Sequence, residues 1–256
     1  MIETARYPSL AGVPIVISGG ASGIGEALVR NFAAQGAKVG FVDIQAERGQ
    51  ALAEELVAAG QTARFAPCDI TQTEAYQQAI ADFAAAHGDA LVLVNNAAHD
   101  ERHDWADVTP AYWDDRMAVN LKHSFFAIQA VAPGMIAAKR GSIINTGSIS
   151  WMIMAPRLPL YETAKAATHG LTRSMARELG QHGIRVNTLV PGWVMTERQV
   201  TLWLDAATEK LIDASQALAG RVGPDDIARM ALFLASEDSA MISAQQFLVD
   251  GGWANG

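Results

Sequence analysis

The feature that most constrains the fold of this chain is a repeated alternation of short apolar runs and alanine-rich stretches. The runs end in Asp, Asn or Gly, which is typical of strands buried in a parallel sheet. Between them, apolar residues recur at helical spacing, as in 27–33 and 52–59. The alternation predicts a parallel sheet with helices on both faces, which is a doubly wound α/β fold. We expect seven strands, at 13–18, 38–43, 62–67, 90–95, 142–146, 185–190 and 245–249.

These strands and a similar number of helices use nearly all of the 256 residues. No linker or low-complexity tract interrupts the pattern, so we expect residues 1–256 to form one domain. Substrate specificity must then come from loops. We expect the loop and helices at 193–220 to be an insertion that serves this purpose.

Composition excludes several classes of protein. Hydrophobic residues make up 50% of the chain, which is too many for a disordered protein. The net charge of −8, with no basic block, argues against binding to nucleic acid or to an anionic membrane. We see neither a signal peptide nor an apolar run of the roughly 18–20 residues needed to span a bilayer. The single cysteine, Cys68, cannot form an internal disulfide and fits a reducing cytoplasm, so we expect a cytoplasmic protein.

A glycine-rich turn, Ser-Gly-Gly-Ala-Ser-Gly-Ile-Gly at 18–25, follows the first predicted strand and opens a helical stretch. Glycines permit a tight turn and a close approach of the backbone, and a helix N-terminus attracts phosphate. The spacing is G-x3-G-x-G, and an ordinary strand-to-helix turn is the alternative. Its position favours binding of a dinucleotide pyrophosphate. The residues that we assign to this turn are Gly19, Ser22, Gly23, Ile24 and Gly25.

An acidic residue, Asp43, ends the second predicted strand 18 residues beyond Gly25. A carboxylate at about this distance can accept hydrogen bonds from the adenosine ribose hydroxyls. It would also repel a 2′-phosphate, and the glycine turn contains no Arg or Lys to attract one. We therefore predict NAD rather than NADP as the cofactor. The alternative is that Asp43 caps the helix that follows it.

Tyr161 and Lys165 are four residues apart in a helical stretch and would share one helix face. The phenol of a free tyrosine has a pKa of about 10, too high for a base near neutral pH. A neighbouring ammonium favours the phenolate, so we expect Lys165 to lower the pKa of Tyr161. This pair alone is weak evidence, because the same spacing occurs often on solvated helices.

Together, these motifs resemble the short-chain dehydrogenase/reductase family over essentially the full length of the chain. The resemblance implies a Rossmann-type domain, for which we expect the strand order 3-2-1-4-5-6-7. One departure is Ala98, at a position where the family usually has glycine; the change removes no functional group. The matching segments are the glycine turn, Asp69-Ile70, Asn95-Asn96-Ala97-Ala98, Val119-Asn120-Leu121, Gly147-Ser148-Ile149-Ser150, Tyr161-x3-Lys165 and Pro191-Gly192.

The resemblance implies the roles of individual residues. Tyr161 would act as general base, Lys165 would bind the nicotinamide ribose, Ser148 would orient the reacting oxygen, and Asn120 would hold a water in a proton relay. No metal is implied, and no cluster at metal-ligand spacing is evident. The implied cofactor contacts beyond the glycine turn and Asp43 are Ile44, Asp69, Ile70, Asn96, Ala97, Tyr161, Lys165, Pro191, Gly192, Val194 and Thr196.

Several longer stretches, including Asp100–His103 and Val249–Trp253, are similar to bacterial D-xylose 1-dehydrogenases of this family. The implied reaction is oxidation of an aldose at C1 to the aldonolactone, with reduction of NAD. The resemblance leaves the identity of the sugar open, because L-arabinose, L-fucose, D-galactose and L-rhamnose dehydrogenases share much of this scaffold. Aromatic faces and polar groups suit a sugar, and the expected substrate residues are His99, Ser148, Ser150, Trp151, Tyr161 and Trp193.

Two other functions are compatible with the same scaffold. One is a keto-sugar-acid dehydrogenase or a 3-oxoacyl-carrier reductase; the reductase would usually use NADPH, which Asp43 disfavours. The other is a non-catalytic nucleotide sensor, which the presence of all four catalytic residues disfavours. Family members are commonly tetramers, and the alanine-rich stretches 125–138 and 164–179 would supply helix faces for a homotetramer or a dimer.

Overall fold

The computed structural model of this protein describes residues 5–254. In that range the strands are β1 (Pro14–Ser18), β2 (Lys38–Asp43), β3 (Thr62–Pro67), β4 (Val92–Asn95), β5 (Gly141–Thr146), β6 (Ile184–Pro191) and β7 (Gln246–Val249). The α-helices are α1 (Gly23–Ala34), α2 (Ala46–Ala58), α3 (Thr73–His87), α4 (Pro110–Met117), α5 (His123–Ala138), α6 (Pro159–Leu179), α7 (Glu197–Trp203), α8 (Ala206–Ser215) and α9 (Pro224–Ala235).

Within residues 5–254 the strands form a seven-stranded sheet in the order β3-β2-β1-β4-β5-β6-β7, with every neighbouring pair parallel. The predicted fold and strand order are confirmed, and each predicted strand boundary lies within two residues of the observed one. Strands β2 and β3 are added on one side of β1, and β4 to β7 are added on the other, so the strand order reverses between β1 and β4. Ligands of open α/β sheets bind at the carboxyl ends of the strands beside such a switch point.

Helices cover the sheet on both faces, as the alternation predicted. One core contains Leu28 and Phe32 of α1 together with Leu232 of α9, and the opposite core contains Phe83 of α3 and Ile128 of α5. Burial of this apolar surface is the main force that holds the layers together.

The apolar faces predicted on α1 and α2 are largely observed. In α1 the four apolar residues expected at 27–33 are all buried. In α2 Leu52 and Leu56 are buried, but Ala59 is exposed because the helix ends at Ala58. The last predicted position of that face therefore lies just beyond the helix.

The segment 193–220 crosses the carboxyl edge of the sheet and contains α7 and α8. Its attachment to the rest of the molecule is partly through the backbone. The amide of Met195 donates to the carbonyl of Val222 at 2.9 Å, and the amides of Ala217 and Leu218 both donate to the carbonyl of Gly251 at 2.9 Å. Gly251 has φ +70°, a conformation that favours glycine.

In the described part of the chain, no helix combines the length and the apolar character that a bilayer crossing requires. Nor do residues 5–254 contain a group of three or more His, Cys, Asp or Glu side chains arranged to hold a metal ion.

Candidate active site

The glycine turn lies between β1 and the start of α1. Gly19 has φ +70° and Gly23 has φ +55°, and both conformations favour glycine. A Cβ added at Gly25 would lie 1.7 Å from the carbonyl oxygen of Gly19, so no larger residue fits there without a shift of the backbone. Ser22 precedes α1, and its side chain makes no capping hydrogen bond. Because the Ser22 side chain does not cap the first amides of α1, these amides can donate hydrogen bonds to a pyrophosphate.

Asn96 and Ala97 follow β4 and hold the glycine turn in place. The amides of both residues donate to the hydroxyl of Ser18 at 3.1 Å. The side-chain amide of Asn96 donates to the carbonyls of Ser18 and Gly19, each at 3.1 Å. These contacts fix the two loops on either side of the switch point, and sequence reasoning had not singled out Ser18 for this role.

Asp43 ends β2, and the residue is 8% exposed. One oxygen accepts from the amide of Ala21 at 3.0 Å, and the other accepts from the amide of Gln45 at 2.9 Å. Each carboxylate oxygen has two lone pairs, so the group retains acceptor capacity for a ribose hydroxyl. The next residue, Ile44, is 74% exposed, so an apolar side chain lies uncovered beside the carboxylate.

Asp69 and Ile70 follow β3 on the same edge of the sheet. The Asp69 carboxylate accepts from the amide of Thr71 at 2.9 Å and from its hydroxyl at 2.8 Å, which shapes the local turn. Ile70 is buried in the core. Of this pair, the exposed Asp69 side chain is thus the one that is accessible to a cofactor.

The segment after β6 reaches back toward the glycine turn. A Cβ added at Gly192 would lie 2.6 Å from Cα of Asp250, so the chain passes close to the end of β7 there. The Thr196 methyl group lies 3.1 Å from the position that a Cβ would take at Gly23. Val194 pairs with Val222 and its side chain is buried in the core, which leaves its backbone for contact with a cofactor.

Ser148, Tyr161 and Lys165 meet at the carboxyl end of β5. Lys165 is buried on α6, one turn beyond Tyr161, with its Nζ atom 5.6 Å from the centre of the Tyr161 ring. This Nζ atom donates to the carbonyl of Thr146 at 2.8 Å. The hydroxyl of Ser148 accepts from the amide of Ser150 at 3.1 Å. The structure therefore brings together the three side chains that the sequence motifs had paired.

The electrostatics of this cluster differ from the sequence expectation. Burial raises the pKa of the Tyr161 phenol above its ordinary value, Asp100 raises it further, and a hydrogen bond from Ser148 lowers it. Burial lowers the pKa of Lys165 to about 8, and Asp100 acts in the opposite direction. The expected lowering of the Tyr161 pKa by Lys165 is not observed: the loss of water around the phenol is the largest influence, and the only group that lowers this pKa among the described residues is Ser148.

Asn120 lies in a π-helical turn, Ala118–Lys122, between α4 and α5. Such turns are frequent at functional sites. The amide of His99 donates to Asn120 Oδ1 at 2.8 Å, and Asn120 Nδ2 donates to the carbonyls of His99 at 3.2 Å and Arg116 at 3.0 Å. The side chain is thus engaged in fixing the loop after β4, so a relay water would have to be held by the backbone of this turn.

The four remaining expected substrate residues lie around this cluster. Ser150 is buried, while Trp151, Trp193 and His99 are partly exposed. Among the described residues, the Ser150 hydroxyl and the Trp193 indole N–H are buried and have no hydrogen-bond partner. Buried donors without a partner are costly, so both are suited to a polar ligand. The His99 ring contacts Arg116, and the pKa of His99 is lowered by burial and then by Arg116.

Comparison with known proteins gives consistent results. Residues 19–254 match a family model described as enoyl-(acyl carrier protein) reductase. The D-xylose 1-dehydrogenase of Caulobacter vibrioides is 47% identical over 252 residues, covering 98% of this chain and all of the relative. A Rhizobium meliloti protein named "Probable galactose dehydrogenase GalD" is 44% identical, covering 98% of each chain.

Solved structures show the same fold. The crystal structure of a gluconate 5-dehydrogenase from Burkholderia cenocepacia, in complex with NADP and tartrate, superposes with a TM-score of 0.90. It is 33% identical, and the match covers 97% of this chain and 98% of the other.

Proposed function

This chain belongs to the short-chain dehydrogenase/reductase family, and we propose that it oxidises an aldose, D-xylose or a related sugar, at C1 to the aldonolactone. The observation that carries the proposal is the meeting of Ser148, Tyr161 and Lys165 beside a glycine turn at the switch point of the sheet. The similarity to a D-xylose and a galactose dehydrogenase over nearly the whole chain supports a sugar substrate.

The cofactor that we propose is NAD. The family binds a nicotinamide dinucleotide, and the cradle at Gly19 and Gly25, together with the uncapped start of α1, fits the pyrophosphate. The buried carboxylate of Asp43 supports NAD over NADP, because a 2′-phosphate would place a second negative charge beside it. The other proposed contacts are those expected from the sequence at Ser22, Ile24, Ile44, Asp69, Ile70, Asn96, Ala97, Pro191, Gly192, Val194 and Thr196. Because the side chains of Ile70 and Val194 are buried in the core, these two residues would contribute their backbone.

In the proposed mechanism the phenolate form of Tyr161 removes the proton from the C1 hydroxyl of the sugar. The positive charges of Lys165 and of bound oxidised nicotinamide would favour this form against the burial that raises the pKa of the phenol. When bound, oxidised nicotinamide supplies a hydride acceptor and a positive charge. Ser148 donates a hydrogen bond to the reacting oxygen and so stabilises charge that develops there. Lys165 uses one N–H for the Thr146 carbonyl, and its two remaining donors are available to a ribose hydroxyl and to a water. The proton then leaves Tyr161 along this path toward the π-helical turn at Asn120.

We propose that the rest of the sugar is bound by His99, Ser150, Trp151 and Trp193. The unpartnered donors of Ser150 and Trp193 support this assignment, since sugar hydroxyls can accept from both. In this view residues 1–256 act as one domain, and segment 193–220 is the insertion that completes the sugar site.

We also propose that the protein is a cytoplasmic homotetramer or dimer. A mainly apolar groove between the π-helical turn, α5 and α6 supports assembly; it is lined by Leu121, Lys122, Phe125, Phe126, Ala167 and Leu171. Phe125, in this groove, is 43% exposed and could be covered by a second copy of the chain. Small-angle scattering of the purified protein would give the number of copies.

The function is tested by following reduction of NAD and of NADP with a panel of pentoses, hexoses and sugar acids. We expect reduction with D-xylose or a close relative, and a higher kcat/KM with NAD than with NADP. Turnover of sugar acids without turnover of any aldose would favour a keto-sugar-acid dehydrogenase. NADPH-dependent reduction of a 3-oxoacyl thioester would favour the reductase alternative.

A further inference from the structure

Helix α7 contacts the loop after β4, and none of its seven residues is buried. Two of its apolar residues, Val200 and Leu202, are 40% and 50% exposed. Apolar burial therefore contributes little to holding this helix over the cleft. Its position depends on polar contacts. Glu197 pairs with Arg48 of α2 at 3.2 Å, but both side chains are well exposed, so this pair contributes little. The other contacts come from the loop after β4, which belongs to the catalytic site.

The principal contact is made by Asp100, in the loop after β4. Its Oδ1 atom lies 3.2 Å from Nε and 3.1 Å from Nη2 of Arg198, and its Oδ2 accepts from Nε2 of Gln199 at 2.5 Å. One carboxylate thus binds two consecutive side chains of α7. Two residues further along the loop, the Arg102 guanidinium lies 4.1 Å from the centre of the Trp203 ring, at the end of α7.

The same loop is fixed to the catalytic site at the residue immediately before Asp100. The backbone of His99 donates to and accepts from the side chain of Asn120. A continuous path of hydrogen bonds and one ion pair therefore runs from α7 through Asp100 and His99 to the π-helical turn. The influence of Asp100 on the pKa of both Tyr161 and Lys165 indicates that its carboxylate also lies within electrostatic range of the catalytic pair.

We propose that Asp100 is a positioning residue that ties α7 to the catalytic loop and thereby completes the sugar site. The inference rests on the proposed function, since it concerns the substrate that α7 covers. The Asp100 side chain is about one quarter exposed, so its ion pair with Arg198 is partly shielded from water and from salt. Loss of the ion pair would free α7 and weaken sugar binding more than it weakens the chemical step.

The test compares Asp100→Ala, Arg198→Met and the double variant with the wild type. We expect each single variant to raise KM for the sugar about ten-fold, equal to about 1.4 kcal/mol, with kcat changed less than about threefold. The double variant should be within about twofold of Asp100→Ala, because that substitution already removes the contact with Arg198 together with the one to Gln199. Asp107→Asn, an exposed carboxylate in the same segment, is the charge-matched control and should leave KM unchanged.

A second readout does not depend on the substrate. Trypsin cuts after arginine, and we expect cleavage after Arg198 to be at least about fivefold faster in Asp100→Ala than in the control, because α7 opens locally more often. Unchanged KM in an active Asp100→Ala enzyme, or additive effects in the double variant, would overturn the proposal. If the wild type oxidises no aldose, the proposed function fails. Unchanged cleavage in Asp100→Ala would separately overturn the proposal that Asp100 holds α7 in place.

Discussion

Replacement of Asp43 by asparagine should weaken NAD binding and relax the choice between NAD and NADP. The carboxylate accepts from two backbone amides, of Ala21 at 3.0 Å and of Gln45 at 2.9 Å. An asparagine has one acceptor oxygen, so its NH₂ group must face one of these amides. The unpaired buried donor should lower the free energy of unfolding by about 1–3 kcal/mol.

The effect on the cofactor follows from the loss of charge. A hydrogen bond to a charged group contributes about 1.5–3 kcal/mol, which corresponds to about a 10- to 100-fold rise in the Kd of NAD. NADP should lose less affinity than NAD, or gain some, because the charge that repels its 2′-phosphate is removed. The NAD to NADP ratio of kcat/KM should therefore fall by about ten-fold or more.

The assay is steady-state kinetics with each cofactor at saturating sugar, together with denaturant unfolding. Glu47→Gln is a suitable control, since it removes an exposed charge in the first turn of α2, near Asp43 in the sequence. A variant of Asp43 that unfolds at lower denaturant but keeps the wild-type cofactor ratio would refute the reasoning. In that case Asp43 would be a structural residue that shapes the turn.

Three other perturbations give distinct outcomes. Tyr161→Phe should reduce turnover by about 10²–10⁴-fold while the Kd of NADH, measured by fluorescence, changes less than about twofold; near-normal turnover would remove Tyr161 from its role. Gly25→Ala should lower the free energy of unfolding by about 1–3 kcal/mol and weaken binding of both cofactors, since the new Cβ would lie 1.7 Å from a carbonyl oxygen. Gly170→Ala, inside α6 with no atom within 4 Å of the added Cβ, should not destabilise the protein in the same denaturant assay. Burial lowers the pKa of His123 to about 3, so the unfolded state binds a proton that the folded state does not, and stability should fall as the pH drops below about 6.5. His123→Gln should reduce this slope by up to about 1.4 kcal/mol per pH unit between pH 6.5 and 5, and an unchanged slope would show that His123 is not buried as a neutral ring.

The fold could be predicted from the sequence because its signals are local. The apolar runs that become β1 and β2 end in Ser18 and Asp43, and the helices between strands bury the faces that their periodicity indicated. The one clear deviation, Ala59, lies just beyond the end of α2, where periodicity gives no information on helix termination.

The candidate site could be predicted only in part. Spacing paired Tyr161 with Lys165, and the family resemblance added Ser148; the structure places the three together. It did not predict that the pKa of Tyr161 is raised, because the degree of burial cannot be obtained from a spacing of four residues. Contacts between residues far apart in the chain were equally inaccessible to local patterns.

The clearest example is the contact of Asp100 with α7, which joins residues 98 and 99 positions apart. The contact of the Arg102 guanidinium with Trp203 is a second example, because these residues are about a hundred positions apart and share no motif. Such contacts depend on how loops from separate strands pack above the sheet. Local sequence patterns do not predict this packing, because they report only on residues that are close in sequence.

The central claim is that hydride passes from C1 of an aldose to the nicotinamide while Tyr161 takes the hydroxyl proton. The most direct measurement uses D-xylose that carries deuterium at C1, with mass spectrometry of the reduced cofactor and of the sugar product. The account predicts NADH that contains one deuterium atom and a lactone that contains none. Unlabelled NADH together with a sugar product that keeps its deuterium would contradict it, because oxidation would then have occurred at another carbon.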